Sequence, residues 1–151
     1  MKSSCKIIFG AGLALGLASS SLPAQNAAAF GNLPLWFEAG QNGTFTAHGS
    51  DSEFIISSAG AGFTLKKSGG ETARCTLQFA GANPNTKISG DQKLAGRISH
   101  FNGNQPEQWL AGVPTFARVR VDDVYPGVNV VYYGNQKTLE YDFNLAAGVS
   151  P

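Results

Sequence analysis

The sequence predicts an all-β domain, built as an antiparallel β-sandwich. Apolar and polar residues alternate with a period of two in several segments, and no segment after the first two dozen residues keeps a 3.6-residue apolar period for three turns. The 151 residues include 19 glycines and 7 prolines, a composition typical of many turns between short strands. A hydrophobic fraction of 42% in a chain of this length indicates one domain with a real core.

The N-terminus has the features of a secretory signal peptide, predicted over residues 1–24. Lys2 and Lys6 precede an apolar run, and small Ala24 follows a short polar stretch; Ala27 and Ala29 offer later cleavage sites. The apolar run covers about a dozen residues, whereas a membrane-spanning helix needs about 20. We therefore expect export by a Sec-type route to the cell surface or medium, with no transmembrane segment after cleavage.

The remaining chain divides into a flexible linker at 25–32, which is polar and rich in small residues, and the sandwich domain at 33–151. The formal net charge is +1, from 11 basic and 10 acidic residues. Removal of Lys2 and Lys6 with the signal leaves 9 − 10 = −1. Because no basic stripe is present, nucleic acid is not an expected partner.

Short strands are predicted through the first half of the domain. Proline places the first, at 33–38, on a sheet edge, and residues 59–62, which include Gly60 and Gly62, form the turn of a hairpin. Cys75 alternates with Leu77 and Phe79 on one strand face, so we expect a buried structural thiol that, as the sole cysteine after cleavage, forms no internal disulfide. The predicted strands are 33–38, 44–47, 53–57, 62–66 and 74–79.

The second half begins with a stretch rich in Asn, Gly, Pro and Gln, with a strand somewhere within 94–101. Residues 115–121 alternate clearly, and residues 124–127 form a Pro-Gly turn. The strongest signal is a final hairpin with arms at 128–133 and 138–145 and a loop at 134–137. Its return arm places four apolar residues on one face: Leu139, Tyr141, Phe143 and Leu145.

A series of motifs in the chain resembles a bacterial domain family of unknown function. The motifs lie at 33–39, 79–84, 103–109, 113–119, 124–128, 131–135 and 139–143. The resemblance implies an N-terminal domain of a large secreted or cell-surface protein, often placed ahead of SBBP-type β-propeller repeats, with no known activity. Asn129, Phe116 and Ala147 replace the aspartate, tyrosine and proline usual in the family, which indicates a divergent member.

Members of that family continue well past the position of Pro151. The resemblance therefore implies a truncated copy, with a sandwich that is incomplete at its C-terminal end. An incomplete sandwich would leave the final hairpin with an unpaired edge, and such edges pair with other chains.

The ionisable residues do not form a recognisable catalytic or metal-binding motif. His48 and His100 are far apart in sequence, with no cysteines or carboxylates at ligand spacing, so we expect both to be polar surface or loop residues. No metal and no other cofactor is predicted. Calcium stays an open alternative, because oxygen ligands are present without the loop pattern that usually holds them: Asp51, Glu53, Asp122, Asp123 and Asp142.

A secreted hydrolase is one alternative function. Glu140 and Asp142 lie at i and i+2 on one strand face, about 7 Å apart, which is within the spacing of glycosidase carboxylates. That reading needs a cleft with a third polar group, whereas strand alternation routinely places solvated acids in this pattern. We therefore predict that the protein is not an enzyme.

The aromatic residues give the best binding hypothesis. Trp36, Trp109, Tyr125 and Tyr133 could present flat rings to sugars in a carbohydrate-binding module. The structural alternative is that Trp36 and Trp109 fill the sandwich core. Tyr133 and its neighbour Tyr132 point to opposite faces, so only one of them belongs to the core. The expected function is a non-catalytic structural or interaction module, with surface polysaccharide or protein as its partner.

Overall fold

A computed structural model describes residues 34–66 and 69–149, and within them the regular structure is almost entirely β. The strands are β1 Phe37–Ala39, β2 Phe45–His48, β3 Ser52–Ser57, β4 Gly60–Lys66, β5 Thr72–Leu77, β6 Lys87–His100, β7 Leu110–Tyr125, β8 Val128–Asn135 and β9 Thr138–Leu145. Two single 3-10 turns, Gln41–Gly43 and Pro106–Gln108, are the remaining elements. The all-β prediction is confirmed. The predicted signal at 1–24 and linker at 25–32 lie outside the described residues, among which no helix is long and apolar enough to span a membrane.

All nine strands are antiparallel and belong to one hydrogen-bonded sheet, with β7 at a fork. The strand order is β5-β4-β3-β2-β1-β7-β8-β9, and β6 pairs with the opposite edge of β7. On one edge, β7 pairs first with β1 at Thr115 and Phe116 and then with β8 from Arg118 onward. We call β1–β5 the first wing and β8–β9 the second wing. A shared strand thus joins the two halves, where the sandwich prediction had two separate sheets.

The two wings curl toward each other around a single core. The buried apolar residues of the core are Leu35, Phe37, Phe45, Ala47, Phe54, Ile56, Ala61, Val119, Val121, Val124, Val130 and Tyr132. Phe79, just after β5, contacts Tyr141 and Phe143 of β9, with ring centroids 5.8 and 5.2 Å apart. The predicted inward face of the last strand is confirmed by Leu139, Tyr141 and Phe143, which pack against the core. Tyr132 is the core tyrosine, and Tyr133 points to the other face.

Glycine inside a strand brings the two ends of the body together. Leu35 lies across Gly134 of β8, where a Cβ atom would stand 2.6 Å from the Leu35 backbone nitrogen. The Leu35 N–H donates a hydrogen bond to the carbonyl oxygen of Gln136 at 3.0 Å. The absence of a side chain at Gly134 permits this close approach. Gly134 pairs with Leu139 and Asn135 with Thr138, so the hairpin turn contracts from the predicted 134–137 to Gln136 and Lys137.

The β3–β4 turn is also tighter than predicted, since Ser57 pairs directly with Gly60. Only Ser58 and Ala59 remain between the strands. Gly60 has a φ of 139°, which a residue with a side chain rarely adopts. The glycines predicted to form the turn therefore begin the second strand of the hairpin.

The long strands β6 and β7 extend beyond the body as a two-stranded arm, residues 94–112. Beyond the β1 pairing at Thr115, these strands pair only with each other, at Arg97, Ile98 and His100 of β6. Most side chains of the arm are exposed. Sequence patterning found only 115–121 of β7, because alternation is lost where neither face of a hairpin is covered.

The predicted burial of Cys75 is wrong. Cys75 lies on β5, a terminal strand of the sheet, and its thiol is exposed. It pairs with Phe63 of β4, while Leu77, two residues on, packs against the core. Alternation gave the correct face, but the wing does not extend far enough over Cys75 to cover it.

Candidate functional site

The four aromatic residues predicted to bind a ligand do not form one row. Trp36 is half-buried ahead of β1, and Trp109 is 40% exposed ahead of β7. Tyr125 ends β7 about 50 Å along the strand from Trp109. Its hydroxyl donates to the carbonyl oxygen of Ala80 at 2.7 Å, so it is held as a structural link. The alternative that placed Trp109 in the core is wrong, because its side chain is exposed and does not belong to the buried cluster of the described residues.

Tyr133 occupies the outer face of the second wing. The Arg118 guanidinium lies 5.9 Å from its ring centroid. Burial raises the pKa of the Tyr133 hydroxyl, and the carboxylates of Asp142 and Glu140 add to that effect. Glu140 also accepts a hydrogen bond from the Asn135 side-chain amide at 3.0 Å. These acids lie beside Tyr133, on the strand face opposite Leu139 and Tyr141.

The end of the arm carries an exposed apolar cluster, which we call the arm tip. It consists of Phe101, Trp109 and Leu110, which are 62%, 40% and 40% exposed. The Phe101 and Trp109 rings meet edge to face with centroids 5.4 Å apart, and the Trp109 indole N–H donates to the carbonyl oxygen of Gly103 at 3.3 Å. The sequence pattern singled out Trp109 but neither Leu110, which follows it in the chain, nor Phe101, whose ring contact with Trp109 is formed only in the folded arm.

A hydrogen bond between Glu38 and His100 ties the arm to the first wing. Glu38 of β1 is 7% exposed, and its carboxylate lies 2.6 Å from Nε2 of His100. The Thr115 hydroxyl donates to the carbonyl oxygen of Gly96 at 2.7 Å, which fixes the base of the arm. His100 ends β6 with 36% of its side chain exposed, so it lies at the surface as predicted. Its hydrogen bond to a residue 62 positions away is not revealed by any local pattern.

His48 fits that prediction better. It ends β2 on the surface, with Nδ1 4.0 Å from the Glu53 carboxylate and both side chains exposed. Among residues 34–66 and 69–149, no three His, Cys, Asp or Glu side chains converge in an arrangement that could hold a metal ion. The carboxylates considered for calcium are therefore not gathered by this fold.

An apolar groove opens where the first and second wings face each other. Its volume is about 670 Å³, and it is lined by β3, β4 and β5 on one side and β9 on the other. Its apolar walls are formed by Phe54, Phe63, Leu65, Leu77, Leu139 and Tyr141. Lys66, Lys137 and Asp51 also line it, and Cys75 lies on the β5 side.

A second, polar cavity of about 410 Å³ lies at the other end of β7, between the loop before β6 and the turn after β7. Arg120 and Asp122, which form an ion pair, line it together with Asn83, Asn85, Lys87, Asp123 and Asn129. The Asn129 side chain accepts a hydrogen bond from the Asp123 backbone at 2.8 Å. The Asn83 side-chain amide also donates to the carbonyl oxygen of Asp123 at 3.1 Å, so several of these groups brace the turn.

Comparison with known proteins identifies a family. The pattern of a family described as Domain of unknown function (DUF7948) matches residues 35–151. The chain belongs to this family. The match spans the described body, the arm and both wings, so the fold above is that of a DUF7948 domain. No curated protein and no solved structure matches the chain.

Proposed function

We propose that this DUF7948 domain is a non-catalytic interaction module of an exported bacterial protein, and that it contacts a protein partner through the arm tip. The observation that supports this is the exposure of Phe101, Trp109 and Leu110 together at the end of a two-stranded arm. The motif resemblance and the signal-like N-terminus support export and a position at the front of a surface protein carrying SBBP-type repeats.

Burial of the exposed apolar surface of the arm tip against a partner would supply free energy of binding. Burial of such surface contributes roughly 25 cal/mol per Å², and an aromatic side chain buries about 150–250 Å². Interface centres are enriched in aromatic residues and hold most of the binding energy. The hydrogen bond from the Trp109 indole to Gly103 and the edge-to-face contact with Phe101 hold the rings in place before a partner arrives.

Site-specific photo-crosslinking tests the contact. A benzoylphenylalanine is placed at position 101 in the full chain, which is expressed in the bacterium that encodes it; the matched control carries the group at exposed Gln41, in the turn between β1 and β2 and away from both the arm tip and the terminal strands. We expect a discrete protein adduct from position 101 alone, competed by the unmodified chain and not by Trp109→Ser. Equal labelling at both positions contradicts a contact through the tip.

Export is tested by N-terminal sequencing of the chain recovered outside the cytoplasm. We expect a mature end at Gln25, or after Ala27 or Ala29, because the small residues at these sites suit signal peptidase. Recovery of the chain only in the cytoplasm with its first residues intact would remove the surface assignment.

Carbohydrate binding is the second candidate, favoured by the exposure of Trp109. Affinity electrophoresis in gels containing bacterial polysaccharides measures it directly. Retardation that disappears in Trp109→Ala supports a glycan partner, whereas unchanged mobility at millimolar ligand leaves the protein partner as the better proposal.

A further inference from the structure

We propose that the groove between the two wings binds an extended segment of a second protein chain, which adds as a β-strand alongside β5 or β9 with acidic residues at its ends. This inference rests on the proposed function, since it gives the interaction module a second contact and names the chemistry of what fills it. It depends on β5, β9 and the groove walls, and not on the arm tip.

The two terminal strands of the sheet, β5 and β9, have backbone groups available for hydrogen bonding along their outer edges. The strand order begins at β5 and ends at β9, so among the described residues each pairs with another strand on one side only. An unpaired strand edge presents a row of N–H and C=O groups that an extended peptide can satisfy. The third one-sided strand, β6, differs because its backbone is irregular: Gln92 has a φ of 55°, and the pairing with β7 shifts register between Lys93 and Arg97. Irregularities of this kind discourage pairing, so β5 and β9 are the open edges.

The walls of the groove are formed largely by apolar and aromatic side chains. Phe54 and Phe63 meet edge to face at 5.7 Å on the first wing, and Leu139 lies on the second. Alternate side chains of a strand lie about 7 Å apart on one face. A segment with apolar residues at every second position can therefore insert them between the wings while its backbone pairs with an edge.

The charged residues of the groove lining are mainly basic. Lys66 and Lys137 line the groove and are exposed, and neither forms an ion pair with another residue of the described chain. Asp51 is the single acidic residue of the lining. Two free ammonium groups against one carboxylate favour an occupant that carries acidic residues, because complementary charges set orientation and exclude wrong partners.

A second copy of this chain does not meet these requirements. Its own β9 has acidic residues, but Tyr141 and Phe143 already pack against their own core. The terminal strand of another copy therefore offers backbone groups without free alternate apolar side chains. A segment that is extended before binding supplies both.

The exposed thiol of Cys75 provides the readout. The probe is a nine-residue synthetic peptide with valine or leucine at alternate positions and one aspartate at each end. We expect added peptide to slow the reaction of Cys75 with a disulfide reagent at least fivefold in the full exported chain, since Cys75 lies in the groove lining. Lys137→Glu should weaken peptide binding about tenfold, whereas the exposed arm variant Lys93→Glu should leave it unchanged.

Two altered peptides test backbone pairing and charge complementarity separately. N-methylation of alternate amides removes edge pairing and should abolish protection of Cys75, and lysine in place of the terminal aspartates should weaken it. Trp109→Ser should bind the peptide normally, so failure here and failure of the arm-tip contact are distinguishable. Circular dichroism of each variant confirms the fold.

Three outcomes overturn the inference. The first is an unchanged thiol reaction rate at millimolar peptide. The second is equal protection by the N-methylated peptide or by a fatty acid, which makes the groove a general apolar site. The third is protection that rises with protein concentration alone, which makes a second copy the occupant.

Discussion

The body and the arm are built from the same two strands but have opposite environments. In the body, β7 is flanked by β6 on one edge and by β1 and β8 on the other, and Val119 and Val121 are buried. In the arm, the same strands pair only with each other, and Phe101 is 62% exposed. The contribution of a strand segment to the free energy of unfolding therefore depends on whether one of its faces is covered, and not on the length of the strand.

The largest difference is expected between two phenylalanines. Phe37 of β1 is fully buried, so Phe37→Ala removes apolar contacts and leaves a cavity, with an expected loss of about 3–5 kcal/mol in the free energy of unfolding. Phe101→Ala at the arm tip should change it by about 0.5 kcal/mol or less, since surface positions contribute little. Urea unfolding measures both. Comparable losses would mean that the arm is part of the cooperative core.

Two glycines on β6 give the next comparison. A Cβ atom at Gly90, in the body, would lie 2.5 Å from ring atoms of Phe116, whereas at Gly96, in the arm, the nearest atom is the Thr115 hydroxyl at 3.8 Å. Gly90→Ala should cost about 1–3 kcal/mol through overpacking. Gly96→Ala should be neutral, because its backbone conformation suits alanine and the space is open. A harmless Gly90→Ala would show that the Phe116 ring can move aside.

The two histidines sharpen the comparison at the joint between the regions. His100→Ala leaves the Glu38 carboxylate buried without its partner, so we expect a loss of about 1–2 kcal/mol. His48→Ala removes an exposed pair with a 4.0 Å separation and should change stability by about 0.5 kcal/mol or less. Thermal unfolding distinguishes them. Faster hydrogen exchange of β6 amides in His100→Ala would locate the loss in the arm.

The smallest effect is expected at Tyr132, whose hydroxyl is buried without a hydrogen-bond partner in the described chain. Tyr132→Phe removes an unsatisfied polar group and should raise stability by about 1 kcal/mol or leave it unchanged. Burial raises the pKa of this hydroxyl well above its ordinary range, and neighbouring Tyr141 adds to the shift. Unfolded Tyr132 therefore loses its proton above about pH 10 while the folded group retains it, so stability falls as pH rises further. Tyr132→Phe should reduce that alkaline slope, and an unchanged slope would contradict the assignment.

The same contrast explains how much of the structure was predictable. Period-two patterning identified the final hairpin and the inward face of β9, because one side of those strands is covered by the core. It found less of β6 and of the arm end of β7, where both faces are exposed and apolar residues have no reason to alternate. The Glu38–His100 pair depends on register between distant segments, which a local pattern does not contain.

Burial of Cys75 was mispredicted for a related reason. Alternation with Leu77 shows which way a side chain points, but coverage depends on how far the opposing wing extends. The groove also results from incomplete coverage of one wing by the other. Its walls come from residues that were expected to be buried, such as Phe63 and Leu139, but the terminal strands that flank it are left open.

The fork at β7 also sets the order in which the domain can be assembled. Phe37 pairs with Phe116 across about 80 intervening residues, so the first wing has no closing neighbour until most of the polypeptide has been synthesised. Contacts this distant in sequence make folding slow. Under the export proposed above, that delay would keep the chain unfolded until it has passed through the translocation channel.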